Sequence, residues 1–245
     1  MHGYANPARF LRLARWLTPS FLLLGLAITG AALAWGVWRA PADHLQGDTV
    51  RILYIHVPAA WLGMWGWVAI AAASLTELVW RHPLAAIAAR AAAVPGAFFT
   101  ALCLYTGSVW GRPAWGTWWV WDGRLTSMLV LLFLYFAYIA LAEAARSLGG
   151  NEGQGRMAAI FGLIGAVNIP IIHYSVIWWN SLHQPPSLSM GKSAMANEFL
   201  IPLLVATTGF SLIFGGVILA RMRAILADQQ AEARLRRRAM EGDES

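Results

Sequence analysis

Charged side chains are scarce in this chain of 245 residues: they make up 12% of it, whereas soluble domains average about 25%. Apolar residues account for 58% of the sequence. So few charges cannot cover the surface of a water-soluble globule. The composition therefore excludes an ordinary soluble domain and predicts a protein of the lipid bilayer.

Lysine and cysteine each occur once, as Lys192 and Cys103. A single cysteine excludes a disulfide framework, a thiolate metal cluster and a CxxCH site for covalent haem. The remaining 17 of the 18 basic residues are arginines that fall mainly between apolar stretches, which indicates membrane topology more than nucleic-acid binding. A G-x-x-x-x-G-K-[ST] motif is also lacking, so any ATPase must be another subunit.

Six apolar stretches have uncharged windows of 18 to 23 residues, close to the roughly 20 residues that cross a bilayer as a helix. Because lipid offers the backbone no other hydrogen-bond partners, each stretch is predicted to be a transmembrane helix. The sequence thus predicts an all-α, polytopic membrane protein with a single membrane domain. The predicted spans are approximately 21–38, 57–79, 91–110, 125–145, 157–179 and 199–222.

The distribution of basic residues predicts the orientation. If the N-terminus is cytoplasmic, 13 of the 18 basic residues lie on that side, as the positive-inside rule requires. Both termini are then cytoplasmic, and three loops, at about 39–56, 111–124 and 180–198, face outward. Since the cytoplasmic loops are short and contain little besides Arg, Gly and Ala, we expect the function on the outer face.

A tryptophan-rich loop is predicted at 110–124, where residues 110–122 read WGRPAWGTWWVWD. Its five indoles are Trp110, Trp115, Trp118, Trp119 and Trp121. Tryptophan is common at membrane interfaces, so an aromatic belt is one interpretation. The crowding of these indoles beside Gly and Pro, in a turn-rich backbone, favours instead a platform for a large planar ligand.

Charged residues flank this loop. Asp122 immediately precedes the fourth span and is expected to cap that helix. Arg112 and Arg124 lie on either side of the cluster, where guanidinium groups pair either with the carboxylates of a ligand or with lipid phosphates.

Two histidines are predicted at the outer edge of the membrane. Pro58 favours a start of the second span near Val57, which leaves His56 just outside it. The double proline Pro185-Pro186 ends any helix before it, which places His183 at the same level. Two imidazoles at one depth beside a tryptophan-rich loop are the pattern expected for axial ligands of a haem iron.

His173 is the competing candidate, because it lies inside the fifth span, where an ionisable residue is a functional candidate by default. Its other interpretation is a buried neutral imidazole hydrogen-bonded to Ser175, to Asn168 or to a neighbouring helix. About ten residues of helix separate it from His183, or ~15 Å, which argues against His173 as the partner of His56.

Three segments together resemble the cytochrome c maturation protein C (CcmC) family of haem-handling membrane proteins, over roughly residues 10–225. These are YIHVPAAW, WGRPAWGTWWVWDGRLTS with its WWD signature, and NIPIIHYSVIWWNSLHQ. The resemblance implies that His56 and His183 are the axial ligands of haem b and that the tryptophan platform falls on 110–122. It also implies a bacterial inner-membrane protein whose periplasmic face binds haem.

The same resemblance implies partners. Family members associate with the membrane and ATPase subunits of an ABC transporter (CcmB and CcmA) and with a small membrane protein (CcmD), and they load haem onto a periplasmic chaperone (CcmE). Loading links a chaperone histidine to a haem vinyl carbon. Whether the chain itself contributes lyase-like attachment chemistry is left open by the sequence.

The expected mechanism is to hold and present haem. His56 and His183 ligate the iron, the region of Trp118 and Trp119 contacts the macrocycle, and cations neutralise the propionates, with Arg51, Arg112 and Arg124 as the candidates. Two other classes stay open: a membrane cytochrome b for electron transfer, which would use His173, and a haem-free membrane scaffold whose tryptophans are only anchors.

Overall fold

The fold consists of helices that run lengthwise beside one another. The computed structural model describes residues 6–147, 152–179, 181–183, 188–189 and 192–243; Pro185 and Pro186, on which one expectation rests, lie outside them. The described helices are α1 (Pro7–Trp38), α2 (Leu53–Trp80), α3 (Ala85–Trp115), α4 (Gly123–Ser147), α5 (Glu152–Gly165), α6 (Asn168–Trp178) and α7 (Asn197–Asp243). A 3₁₀ helix (Asp48–Ile52) precedes α2, and two short antiparallel strands, β1 (Leu188–Ser189) and β2 (Lys192–Ser193), precede α7.

Six helical segments are long and apolar enough to cross a membrane, which confirms the predicted all-α, six-span architecture. They are Pro7–Trp38, Asp48–Trp80, Ala85–Trp115, Gly123–Arg146, Gly155–Trp178 and Asn197–Glu241. The predicted orientation, with both termini in the cytoplasm, stays a prediction.

The fifth span is interrupted, although the sequence predicts one continuous helix. Residues 166 and 167 form a turn between α5 and α6. Pro170 has no backbone N–H, so the carbonyl of Ala166 lacks its usual helical donor; it accepts instead from the N–H of Ile169 at 3.1 Å. The proline therefore explains why this span consists of two helices.

Helix boundaries at the end of the bundle where α2 begins and α3 ends differ from the expected ones in two places. Helix α2 begins at Leu53, one turn before the expected start, because the 3₁₀ helix runs directly into it, and His56 therefore lies inside the helix. Helix α3 continues to Trp115, so Trp110 and Trp115 are helical and only the second half of the tryptophan-rich segment is a loop. Gly116, with a φ of 78°, ends α3 in the left-handed conformation that favours glycine.

The core lies between α2, α3, α4 and α5. Trp67 and Tyr135 are completely buried there, with ring centroids 4.9 Å apart in an edge-to-face arrangement. The Trp67 indole N–H donates to the carbonyl of Gly162 at 3.1 Å, and the Tyr135 hydroxyl donates to that of Gly63 at 2.7 Å. These bonds join α2 to α5 and α4, so they fix these three helices relative to one another.

Candidate functional site

The candidate site lies at one end of the helix bundle, where α2 begins, α3 ends, α4 begins and α6 ends. His56 lies in the first turns of α2, and Trp110 and Trp115 lie in the last turns of α3. Asp122 precedes α4, and His183 follows α6. The ring of His56 lies beside Trp110 and the ring of His183 lies beside Trp115. The fold thus brings together residues up to 127 positions apart in the sequence.

Hydrogen bonds fix the tautomer of His56. Its Nδ1 lies 3.1 Å from the carbonyl oxygen of Cys103 and 3.1 Å from the Thr106 hydroxyl. That hydroxyl donates its own hydrogen to the carbonyl of Leu102 at 2.7 Å. Because a carbonyl only accepts, Nδ1 must carry the hydrogen, and Nε2 keeps a lone pair that can bind a metal ion.

Two residues of α3 define the space around the His56 ring. Gly107 lies beneath it: a Cβ atom there would be 2.9 Å from Cε1 of the imidazole. Trp110 meets the ring edge to face, with centroids 5.6 Å apart and planes at 83°. The missing side chain at Gly107 therefore allows the imidazole to lie directly against α3.

Trp110 is itself held by the loop between α1 and α2. Its indole N–H donates to Oε1 of Gln46 at 2.8 Å. The loop is closed by Asp43, which accepts from the backbone N–H groups of Gln46 and Leu45 at 2.9 Å each; these two bonds lower the pKa of the Asp43 carboxyl. Gln46 thereby positions Trp110 beside His56.

His183 is half-buried and lies beside Trp115, with ring centroids 6.2 Å apart and planes at 57°. Its backbone N–H donates to the Ser181 hydroxyl oxygen at 3.0 Å. Ser181 in turn donates to Oδ2 of Asp122. Each candidate histidine thus has one tryptophan of α3 as a neighbour.

Asp122 caps α4, as predicted. Its Oδ1 accepts from the N–H of Leu125 at 2.7 Å, which satisfies one of the unpaired donors at the start of the helix. The cap holds the end of the tryptophan-rich segment against α4.

The remaining indoles of the segment lie farther out. Trp118 and Trp121 are 57% and 74% exposed, and the carbonyl of Trp118 accepts from Ser108 at 2.8 Å. Trp119 is half-buried, contacts Trp121 edge to face at 5.4 Å, and its indole N–H has no hydrogen-bond acceptor among the described residues. Trp118 and Trp121 thus present exposed apolar surface at this end of the bundle.

The three candidate arginines have different hydrogen-bond and ion-pair partners. Arg51 pairs with Asp48 at 3.1 Å, Arg112 donates to the carbonyl of Gly116, and Arg124 donates to the carbonyl of His173 at 3.0 Å. Arg124 therefore joins the start of α4 to α6, the helix that precedes His183.

His173 does not lie in the buried environment expected from the sequence. Its side chain is exposed on the surface of α6 and meets Tyr174 edge to face at 4.9 Å. Ser175 and Asn168 donate to the carbonyls of Ile172 and Ser127, at 2.8 and 2.9 Å. The expectation of a buried His173 bonded to either residue was wrong, because hydropathy does not show which face of a span points outward.

The donor set suits an iron porphyrin better than a bare metal ion. Within the described residues there is no group of three or more His, Cys, Asp or Glu side chains that could hold a metal. Two imidazoles alone supply too few ligands for a structural zinc site, but a porphyrin provides four of its own. Axial histidines and apolar, aromatic walls are what such a group requires.

Several residues that shape the site carry no recognisable signal in the sequence: Gln46, the carbonyl of Cys103, Thr106, Gly107 and Ser181. Gln46, the Cys103 carbonyl, Thr106 and Gly107 each contact a residue that is distant in the sequence. Ser181 contacts the distant Asp122 and the backbone of His183. Only the small side chains of Thr106 and Gly107 in an otherwise bulky apolar run hint at close packing.

Comparison with known proteins shows the family of this chain. A family model described as "Heme exporter protein C" matches residues 1–237. Three relatives carry the same name. The one from Bradyrhizobium diazoefficiens is 50% identical over 225 residues, 89% of this chain and 82% of the relative. The one from Escherichia coli K12 is 44% identical over 226 residues, 92% and 90% of the two chains. The one from Haemophilus influenzae is 42% identical over 237 residues, 95% and 94% of the two chains. This chain therefore belongs to the heme exporter protein C family.

Proposed function

We propose that this protein binds haem b between His56 and His183 at the periplasmic face of the bacterial inner membrane and presents it for cytochrome c maturation. The observation that carries the proposal is the tautomer of His56. Its Nδ1 hydrogen is engaged by Cys103 and Thr106, which leaves the lone pair on Nε2 to bind the iron. The family name, which refers to haem export, supports the same cargo.

The residues around the histidines have complementary tasks in this proposal. Trp110 and Trp115, each beside one histidine, provide apolar contact for the ring edges. Arg124 is well placed to offset the charge of a propionate. The region of Trp118 and Trp119 contacts the macrocycle, with Trp118 on the exposed side.

The partners proposed are those of the haem-delivery system: the transporter subunits CcmA and CcmB, the small membrane protein CcmD and the periplasmic chaperone CcmE. The porphyrin supplies the reactivity of its vinyl group. The chain would hold the porphyrin edge that carries this vinyl group in a fixed orientation, so the rate gain in transfer to the chaperone comes from proximity.

Two measurements on the purified wild-type protein test this function. Titration with haem should give one haem per chain with the absorption and electron paramagnetic resonance spectra of six-coordinate, low-spin iron. Incubation with the haem chaperone should then give a chaperone band that keeps haem after denaturation. A protein that binds no haem would be a scaffold, and haem that never reaches the chaperone would indicate electron transfer.

The orientation is tested by labelling with a membrane-impermeant maleimide. In a Cys103→Ala background, Trp118→Cys should react in intact spheroplasts. Gln230→Cys, on the exposed end of α7, should react only after the membrane is permeabilised. The opposite pattern would place the site on the cytoplasmic side and contradict the proposal.

The Thr106 hydroxyl provides a smaller test of the His56 geometry. Thr106→Val keeps the shape of the side chain but removes one of the two acceptors of the Nδ1 hydrogen. Because the Cys103 carbonyl remains, we expect haem affinity to fall by about threefold to tenfold. Loss of a residue that hydrogen-bonds a metal ligand typically has an effect of this size or larger. Thr106→Ser should bind haem like the wild type; equal affinities for Val and Ser would show that the hydroxyl does not matter.

A further inference from the structure

A large cavity lies at the end of the helix bundle opposite the candidate haem site. It has a volume of about 1070 Å³ and lies where α2 ends, α3 begins, α4 ends and α5 begins. Helix α7 has 47 residues, more than twice the roughly 20 that cross a bilayer. The part of α7 beyond the membrane forms another wall of the cavity. This cavity has no part in the proposed function.

The lining of the cavity combines an apolar inner wall with arginines. Tyr138, Ala142 and Ala158, which are buried members of the core, form the inner wall. The guanidinium groups that line the cavity are those of Arg81, Arg90, Arg146, Arg156 and Arg236. We call this space the arginine cavity. An apolar wall next to guanidinium groups suits an amphiphilic ligand with an anionic head.

The arginine cavity lies at the level of the lipid headgroups. The spans of α2 and α4 end at Trp80 and Arg146, and the span of α5 begins at Gly155. Residues at the ends of spans border hydrocarbon on one side and water on the other. Basic pockets between transmembrane helices at this depth bind the headgroups of anionic lipids. A phospholipid can therefore place its phosphate among the arginines and its acyl chains along the apolar wall.

Carboxylates in the same lining limit the charge of the ligand. They belong to Glu77, Glu143, Asp228 and Glu232. Arg146 donates to Glu143 at 2.9 Å and pairs with Glu232 at 3.3 Å, which joins α4 to α7. Repulsion by the carboxylates disfavours a ligand with several negative charges, such as a nucleoside triphosphate. Among the described lining residues the arginines still outnumber the carboxylates, which favours a phosphodiester with one net negative charge.

His82 also lines the arginine cavity and offers a hydrogen-bond donor. Its Nδ1 accepts from the backbone N–H of Leu84 at 3.3 Å. In the neutral imidazole the hydrogen therefore lies on Nε2, which then donates and has no lone pair for a metal ion. His82 thus suits a phosphate oxygen and not the iron of a second haem.

Arg81 has a backbone conformation that normally favours glycine. It ends α2 in the left-handed region, with a φ of 48°. Among the described residues it is the only one other than glycine with a positive φ. Because a Cβ atom makes this conformation unfavourable, an arginine at this position indicates a function of its side chain that glycine cannot provide.

We propose that the arginine cavity binds one anionic phospholipid. Arg81, Arg156 and the Nε2–H group of His82 hold its phosphodiester, and the wall formed by Tyr138 and Ala158 contacts its acyl chains. In the predicted orientation this lipid belongs to the cytoplasmic leaflet. The site is independent of the haem site, and its test needs no haem.

Native mass spectrometry of the purified full-length chain with palmitoyl-oleoyl phosphatidylglycerol tests the lipid site. The wild type should retain one molecule of this lipid under conditions that remove palmitoyl-oleoyl phosphatidylethanolamine. Arg81→Gly and Arg156→Gln should each bind it about fivefold more weakly, the effect of one arginine at a membrane surface. The melting temperature of lipid-free Arg81→Gly should equal or exceed that of the wild type, because glycine relieves the left-handed backbone. Lost binding in this variant is then not a consequence of unfolding.

Arg39→Gln is the matched control, since Arg39 is an exposed arginine at the end of α1 and outside the cavity lining. It should bind the lipid like the wild type. Equal retention of the two lipids, or unchanged binding in both Arg81→Gly and Arg156→Gln, would refute the site. Displacement of the lipid by inorganic phosphate or ATP would assign the cavity to a soluble anion. A second haem per chain that Arg81→Gly loses would assign it to haem, and either result overturns the inference.

Discussion

Replacing His56 by alanine should remove nearly all haem from the purified protein. The imidazole is fixed in place, since its Nδ1 is bonded to Cys103 and Thr106 and its ring lies against Gly107. We expect haem affinity to fall by at least about a hundredfold, which corresponds to about 2.8 kcal/mol. Absorption spectra recorded during haem titration measure the change, and the periplasmic chaperone should then receive no haem from this variant.

His173→Ala is the matched control, because it removes an imidazole of the same size from an exposed position of α6. It should bind haem with the affinity and low-spin spectrum of the wild type. Loss of the spectrum in His173→Ala, with His56→Ala unaffected, would reject the site and indicate a cytochrome b. His183→Ala should also lose the six-coordinate, low-spin spectrum.

The six spans were predictable because the bilayer leaves the backbone few alternatives. A stretch of about 20 apolar residues must satisfy its own hydrogen bonds, and a helix does so. The helix ends were less predictable. Helix α3 passes through Pro113 and ends at Gly116, since a glycine in the left-handed conformation is a common helix terminator. That glycine is the local signal that places Trp110 and Trp115 on the helix.

The candidate site was predictable in composition but not in its contacts. His56 and His183 were placed at one end of the bundle by topology alone, and the Asp122 cap was predictable because it is a local interaction. By contrast, the acceptors of the His56 Nδ1 hydrogen lie 47 and 50 residues away, on α3. The packing of one helix against another determines such contacts, and no local pattern in the sequence records it.

Gly107→Val should displace the His56 ring and weaken haem binding by about tenfold to a hundredfold. A Cβ atom at this position would lie 2.9 Å from Cε1 of the imidazole, which is too close for the ring to remain in place. The ring can move away only by giving up its bonds to Cys103 and Thr106, and metal ligands need placement within about 0.5 Å. Haem titration measures the loss, and Gly107→Ala should show a smaller one.

A matched control separates this local effect from a general effect of valine in a transmembrane helix. Gly30 lies in α1, and a Cβ atom added there would have no neighbour within 4 Å among the described residues, so Gly30→Val should leave haem affinity unchanged. Because the clash at Gly107 involves a side chain at the edge of the bundle and not the Trp67 core, the melting temperature of haem-free Gly107→Val should remain near that of Gly30→Val. Unchanged haem affinity in Gly107→Val would show that the His56 ring tolerates displacement and is therefore not a ligand of the iron.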